Sequence, residues 1–141
     1  MIKETFSQKE TEEFGFEMGQ NAKAGEIYCL SGDLGVGKTV FTKGFAKGLG
    51  IDEHITSPTF TLINEYEGRL PLYHFDVYRV ADPEEMDYIG ADEYFFGNGV
   101  CLIEWAELIE EIIPENARWI KIEKDLEKGI DYRCITVREA Q

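Results

Sequence analysis

Long apolar runs are missing from this chain: no window approaches the roughly 18 apolar residues that a membrane-spanning helix requires, and the opening MIKETFSQKE holds no apolar stretch of leader length. A cytoplasmic protein is the resulting expectation. Positive charge is also scarce. With 14 basic against 28 acidic residues the formal charge is −14, a field that repels nucleic acid and anionic membrane surfaces instead of collecting them. Cysteine is sparse and badly spaced for metal or redox chemistry. Cys29, Cys101 and Cys134 lie far apart inside apolar runs with no Cys-x-x-Cys pair, so they read as free, buried thiols. There is no Asn-Lys-x-Asp stretch of the kind that selects guanine, and no linker, repeat or low-complexity segment divides the 141 residues. One domain over 1–141 is expected, long enough to bury a core without staples.

What is present is alternation. Ser7 and Glu10 form a capping box ahead of Phe14, Met18 and Ala22 on one helical stripe, which predicts a helix from Gln8 to about Ala24. The run Glu26–Leu30 reads as a buried strand, followed by a glycine-rich turn and a helix from Lys38 to about Leu49. Two stretches rich in β-branched and aromatic residues, 59–66 and 71–80, flank Glu67-Gly68-Arg69 and predict a hairpin. Asp82, Pro83 and Glu85 have the order of N-cap, first-turn proline and capping acid, opening a short helix that Gly90 closes. Then come a strand at 100–105, a helix at 106–113 stopped by Pro114, and a strand pair at 118–125 and 132–139. The fold class expected from this alternation is α/β, with a mixed central sheet that carries antiparallel hairpins.

The stretch Ser31–Thr39, SGDLGVGKT, matches G-x-x-x-x-G-K-[ST]: Gly32, then Asp33, Leu34, Gly35 and Val36, then Gly37, Lys38 and Thr39. Glycines let successive N–H groups turn toward phosphate oxygens, and the helix that starts there points its positive end at the same place. Lys38 supplies the cation for the outer phosphates. Thr39 offers a hydroxyl to Mg²⁺, which prefers oxygen ligands and keeps waters and substrate phosphates in its shell. Such a loop needs a carboxylate across the metal at the end of a neighbouring strand, and Glu104, at the end of Val-Cys-Leu-Ile-Glu, fits. Asp76 in HFDVYR is the other candidate for this duty or for orienting the attacking water. His74 shares its face and reads as structural.

The series GDLGVGKT, SPTFTLINEY, HFDVYR and IEWAE resembles, in order and approximate spacing, the TsaE family, the bacterial ATPase subunit of the machinery that makes N6-threonylcarbamoyladenosine in tRNA. The likeness covers nearly the whole chain and, with the glycine loop, makes the expected α/β fold a three-layer P-loop NTPase-like one with a mixed, mainly parallel central sheet and antiparallel hairpins. It implies a Mg²⁺-dependent ATPase that binds ATP and ADP and works with two partner proteins, one of them the transferase acting on adenosine 37. It further implies phosphate contacts from Gly35 to Thr39, with Asp33 and Leu34 in the same loop, Mg²⁺ on Thr39 and Glu104, and Asp76 as an activity-critical carboxylate. SPTF becomes a switch-like segment with Thr59 near the γ-phosphate, Trp105 stands by the nucleotide, and Phe6 and Ser7 approach adenine. The acidic surface agrees with tRNA being held by the partners. Two other readings share the loop: a small-molecule kinase, for which Arg79 could act as a finger, and a switch in which nucleotide sets partner affinity.

Overall fold

The computed structural model describes residues 1–33, 35–56, 63–80, 84–88 and 90–139. Seven strands form one sheet in the order β1-β7-β6-β2-β5-β4-β3. The strands are β1 (Ile2–Thr5), β2 (Ile27–Ser31), β3 (Ile63–Tyr66), β4 (Leu72–Asp76), β5 (Val100–Glu104), β6 (Arg118–Lys124) and β7 (Arg133–Arg138). The four central strands β6, β2, β5 and β4 run parallel, and both flanks are antiparallel: β3 on β4, and β7 on β6 with β1 beyond it. The two expected strand pairs are therefore the antiparallel joins between the parallel centre and its flanks. Strand β1 had no signal in the sequence, because its four residues are mostly exposed and only the pairing with β7 holds them extended.

Alternation along β2 splits the core. Tyr28 and Leu30 face one layer with Leu102, Ile120 and Phe45, whereas Ile27 and Cys29 face the other with Phe75, Ile103 and Ile109. Helices α1 (Gln8–Asn21) and α2 (Lys38–Gly48) cover the first face. The second is covered by α3 (Glu85–Tyr88), α4 (Ala91–Phe95) and a 3-10 helix, Ala106–Ile112. The result is the three-layer α/β arrangement expected. Ser7 caps α1 by accepting from the Glu10 N–H at 3.1 Å, and the helix ends three residues earlier than its stripe suggested. Helix α4 was not foreseen: Gly90, expected to close one helix, also stands at the start of the next. Asp82 and Pro83 lie outside the described residues. No helix among the described residues is long and apolar enough to cross a membrane. Cys29 and Cys101 are buried free thiols as expected, while Cys134 is only half-buried.

The two helices on the loop's side pack backbone to backbone through glycines. A Cβ on Gly44 would strike the Glu12 carbonyl, and one on Gly15 the Phe41 carbonyl. Gly44→Ala is expected to cost about 1–3 kcal/mol through forced separation of α1 and α2, which corresponds to a Tm lower by roughly 4–12 °C in a domain of this size. Thermal unfolding by circular dichroism tests it, and a parental Tm would mean that the helices do not approach so closely.

Candidate functional site

Strand β2 delivers the chain to the glycine loop at the carboxyl end of the parallel strands, where α/β sheets place their ligands. Gly37 caps α2 with φ 101°, a backbone angle a side chain would oppose, and Lys38 begins the helix. The loop walls a cleft of about 360 Å³. Gly35, Val36, Gly37, Lys38, Thr39 and Val40 come from the loop and α2, Asp76 from the tip of β4, and Glu104 and Trp105 from the tip of β5. These last arrivals follow from register: β4 and β5 are parallel with Asp76 opposite Glu104, so both carboxylates surface at the same end of the sheet.

Lys38 is 6% exposed. Its Nζ donates to the Gly32 carbonyl at 2.8 Å and stands 3.5 Å from the centroid of the Trp105 ring, a cation–π contact. Burial draws the ammonium below its ordinary pKa, while Glu104, Glu107, Asp76 and Asp33 pull it back up. Trp105 itself sits at φ 63°, alone among described non-glycine residues in having a positive φ. Strained backbone of this kind gathers at functional sites. Its ring also packs on Tyr78 at 4.8 Å. Glu104 is buried and accepts from His74 Nε2 at 2.7 Å. Asp76 Oδ1 accepts the Tyr78 N–H at 3.0 Å, turning the chain out of β4.

The remaining expected residues distribute differently. Thr39 is exposed on the cleft wall. Asp33 lines an adjoining groove with Lys121, Glu123 and Lys124 instead of the cleft. Ser7 is the cap of α1. Phe6 is exposed and meets Tyr132 edge to face at 5.5 Å; neither Phe6 nor Ser7 is among the cleft's lining residues, though Gln8 and Thr11 of the same helix are. Arg79 is exposed and outside the lining. Leu34, Thr59 and the rest of SPTF lie outside the described residues.

Arg133 is the residue that sequence reasoning passed over. It reaches the cleft from β7, its Nε donating to the Val36 carbonyl at 2.6 Å and Nη1 to the carbonyls of Ile130 at 2.9 Å and Tyr132 at 2.7 Å. A loop that turns its N–H groups toward a ligand turns carbonyls away from it, and Arg133 satisfies one of these. No local motif announces an arginine 97 residues distant from its partner.

The donors offered to a metal are hard oxygens: the Thr39 hydroxyl and the carboxylates of Glu104 and Asp76. Among the described residues no group of three or more His, Cys, Asp or Glu side chains is gathered closely enough to hold a metal ion. Hard oxygens of this kind are the chemistry Mg²⁺ prefers, with one or two protein oxygens and the rest of its shell left to water and phosphate.

The parallel centre, glycine loop and strand-tip acid define a P-loop NTPase-like α/β protein. Residues 5–133 match the family model of the threonylcarbamoyl adenosine biosynthesis protein TsaE. The chain belongs to that family. It is 57% identical over 116 residues to the tRNA threonylcarbamoyladenosine biosynthesis protein TsaE of Bacillus subtilis, covering 82% of this chain and 70% of that one. The namesake from Treponema pallidum is 50% identical over 77% of this chain and 81% of its own, and that from Aquifex aeolicus is 40% identical over 82% and 90%. A crystal structure of Bacillus subtilis YdiB superposes with a TM-score of 0.82 at 46% identity, over all of this chain and 86% of the other.

Proposed function

We propose that this protein is a Mg²⁺-dependent ATPase that supports threonylcarbamoylation of tRNA adenosine 37 as a cytoplasmic partner of the two subunits that carry out the transfer. Membership of the TsaE family supports the pathway. The observation that carries the chemistry is Lys38: a nearly buried ammonium at the floor of the cleft whose acceptor among the described residues is one carbonyl, that of Gly32. A buried cation is costly without an anionic partner, and the β- and γ-phosphates of ATP complete it. Gly35 to Thr39 turn backbone N–H groups to the same oxygens, and Arg133 holds the loop in that shape by its bond to Val36. Glu104 and Thr39 are placed to hold Mg²⁺, which supplies charge neutralisation at the phosphoryl group. Asp76 and Glu104 face the cleft as the groups that orient the attacking water, and Trp105 lines the nucleotide. With a charge of −14, the chain leaves tRNA to its partners.

Hydrolysis by the isolated chain should be slow. Lys38 and Arg133 are the cations among the cleft's described lining, and three bonds to carbonyls already occupy Arg133. An arginine delivered in trans is worth about 10³–10⁵ in turnover in related chemistry. Adding the two partner subunits is therefore expected to raise phosphate release by about tenfold or more. Label from γ-labelled ATP should appear in inorganic phosphate. Label on a small acceptor would instead make this a kinase, and nucleotide binding without product a switch. Full-speed turnover by the isolated chain would overturn the partner-dependent reading.

A further inference from the structure

Two nitrogens of the His74 ring tell different stories. Nε2 lies 2.7 Å from Glu104 Oε2, with the two side chains only 2% and 7% exposed. Nδ1 is equally enclosed and has no hydrogen-bond partner among the described residues. Buried histidines ordinarily satisfy both ring nitrogens, and an orphaned polar atom in a core asks for a reason. His74 lies on β4 between Leu72 and Asp76, facing the same layer as Leu72. An aliphatic side chain there would bury more apolar surface and strand no nitrogen. The retained ring makes one described hydrogen bond, and that bond goes to Glu104.

We propose that His74 is a positioning residue that holds the Glu104 carboxylate by one oxygen so that its other oxygen is presented to Mg²⁺ in the cleft. This rests on the reading of Glu104 given under the proposed function. Pinning Oε2 removes the rotamer freedom that a strand-end glutamate otherwise has, and a ring with its proton on Nε2 is a donor at that spot. Ligands of this kind are commonly oriented by such outer partners, whose loss costs about 10–100-fold in metal affinity or activity. Nδ1, left without a partner among the described residues, is the cost of placing a donor where β4 crosses the acid.

Two amide substitutions separate positioning from mere polarity. His74→Gln carries an N–H about as far from the backbone as Nε2, and His74→Asn carries one at the depth of Nδ1, too short to reach Oε2. Binding of ADP, followed by Trp105 fluorescence in a Trp119→Phe background over a Mg²⁺ titration, gives the Mg²⁺ concentration at half-effect without any turnover. His74→Asn is expected to raise that concentration about 10–100-fold, and His74→Gln to stay within about threefold of the parent, with ADP affinity in EDTA the same for all three. Equal Mg²⁺ requirements in both variants, whether parental or raised together, overturn the positioning role. A parent whose ADP binding ignores Mg²⁺ overturns the reading of Glu104 itself, and the inference with it. The parent supplies a further check independent of how the variants fold. The chain has two histidines, and ¹⁵N NMR of the rings should show His74 protonated at Nε2; a bare Nε2 overturns the proposal.

Discussion

Lys38→Ala is expected to lower ATP hydrolysis by the assembled complex about 10²–10³-fold, the scale on which removal of one charge-stabilising group from a transition state is felt. The fold should tolerate the change. The Lys38 ammonium is pulled below its ordinary pKa by burial, so its charged form is less favoured in the folded than in the unfolded chain. Deleting it removes that cost along with the packing of its stem. The two effects oppose, and Tm should move by no more than roughly 5 °C. Phosphate release in the complex and differential scanning calorimetry measure the two quantities on one preparation. Turnover equal to the parent's would mean that the loop from Gly32 to Thr39 is not a phosphate site. A collapse of Tm would mean that the bond to Gly32 and the contact with Trp105 hold the fold instead of storing a cation for substrate.

Glu104→Gln separates metal duty from structure at the opposite wall of the cleft. Its amide keeps the size and shape of the side chain, and its carbonyl oxygen can still accept from His74 Nε2, so the buried contact seen at 2.7 Å survives. Only the negative charge, the feature proposed to meet Mg²⁺, is lost. Hydrolysis in the complex is expected to fall at least about 10–100-fold with Tm close to the parent's. A structural acid would give the reverse pattern, a stability loss of about 1–3 kcal/mol from mismatched hydrogen bonds with Mg²⁺-dependent turnover intact. Nucleotide should still bind, because the loop and Lys38 are untouched. Trp105, beneath the Lys38 ammonium, should report that binding even in the inactive protein, once Trp119→Phe has removed the only other tryptophan. Parental turnover by Glu104→Gln would transfer metal duty to Asp76, its neighbour across β4 and β5.

The site was legible where its parts are contiguous. The loop, the strand before it and the helix behind it lie within one stretch of chain, and their shape follows from local backbone chemistry. Glu104 was legible for a related reason, since it ends an apolar run and parallel strands must bring such ends to one edge; Asp76 was expected inside a strand over 71–80, and only the structure ends β4 there and puts it at the tip. Other assignments needed the third dimension. Ser7 caps the first turn of α1, as its spacing to Glu10 predicted, yet only the structure keeps it off the cleft's lining. Asp33, inside the loop motif, turns to a groove shared with Lys121 and Lys124. Neither position relative to the cleft is encoded in spacing, since it depends on which way the chain leaves each turn.

By itself the sequence determined the alternation of strands and helices, the glycine loop and the Glu104 carboxylate at a strand end, because periodicity, capping and turn chemistry act over a few residues. Only the tertiary structure decided that β1 joins the sheet through β7, that Arg133 braces the loop at Val36 and that His74 grips Glu104. Those contacts join residues far apart along the chain. Their energy is realised only after the sheet has closed, so no local pattern in the residues that make them could have announced it.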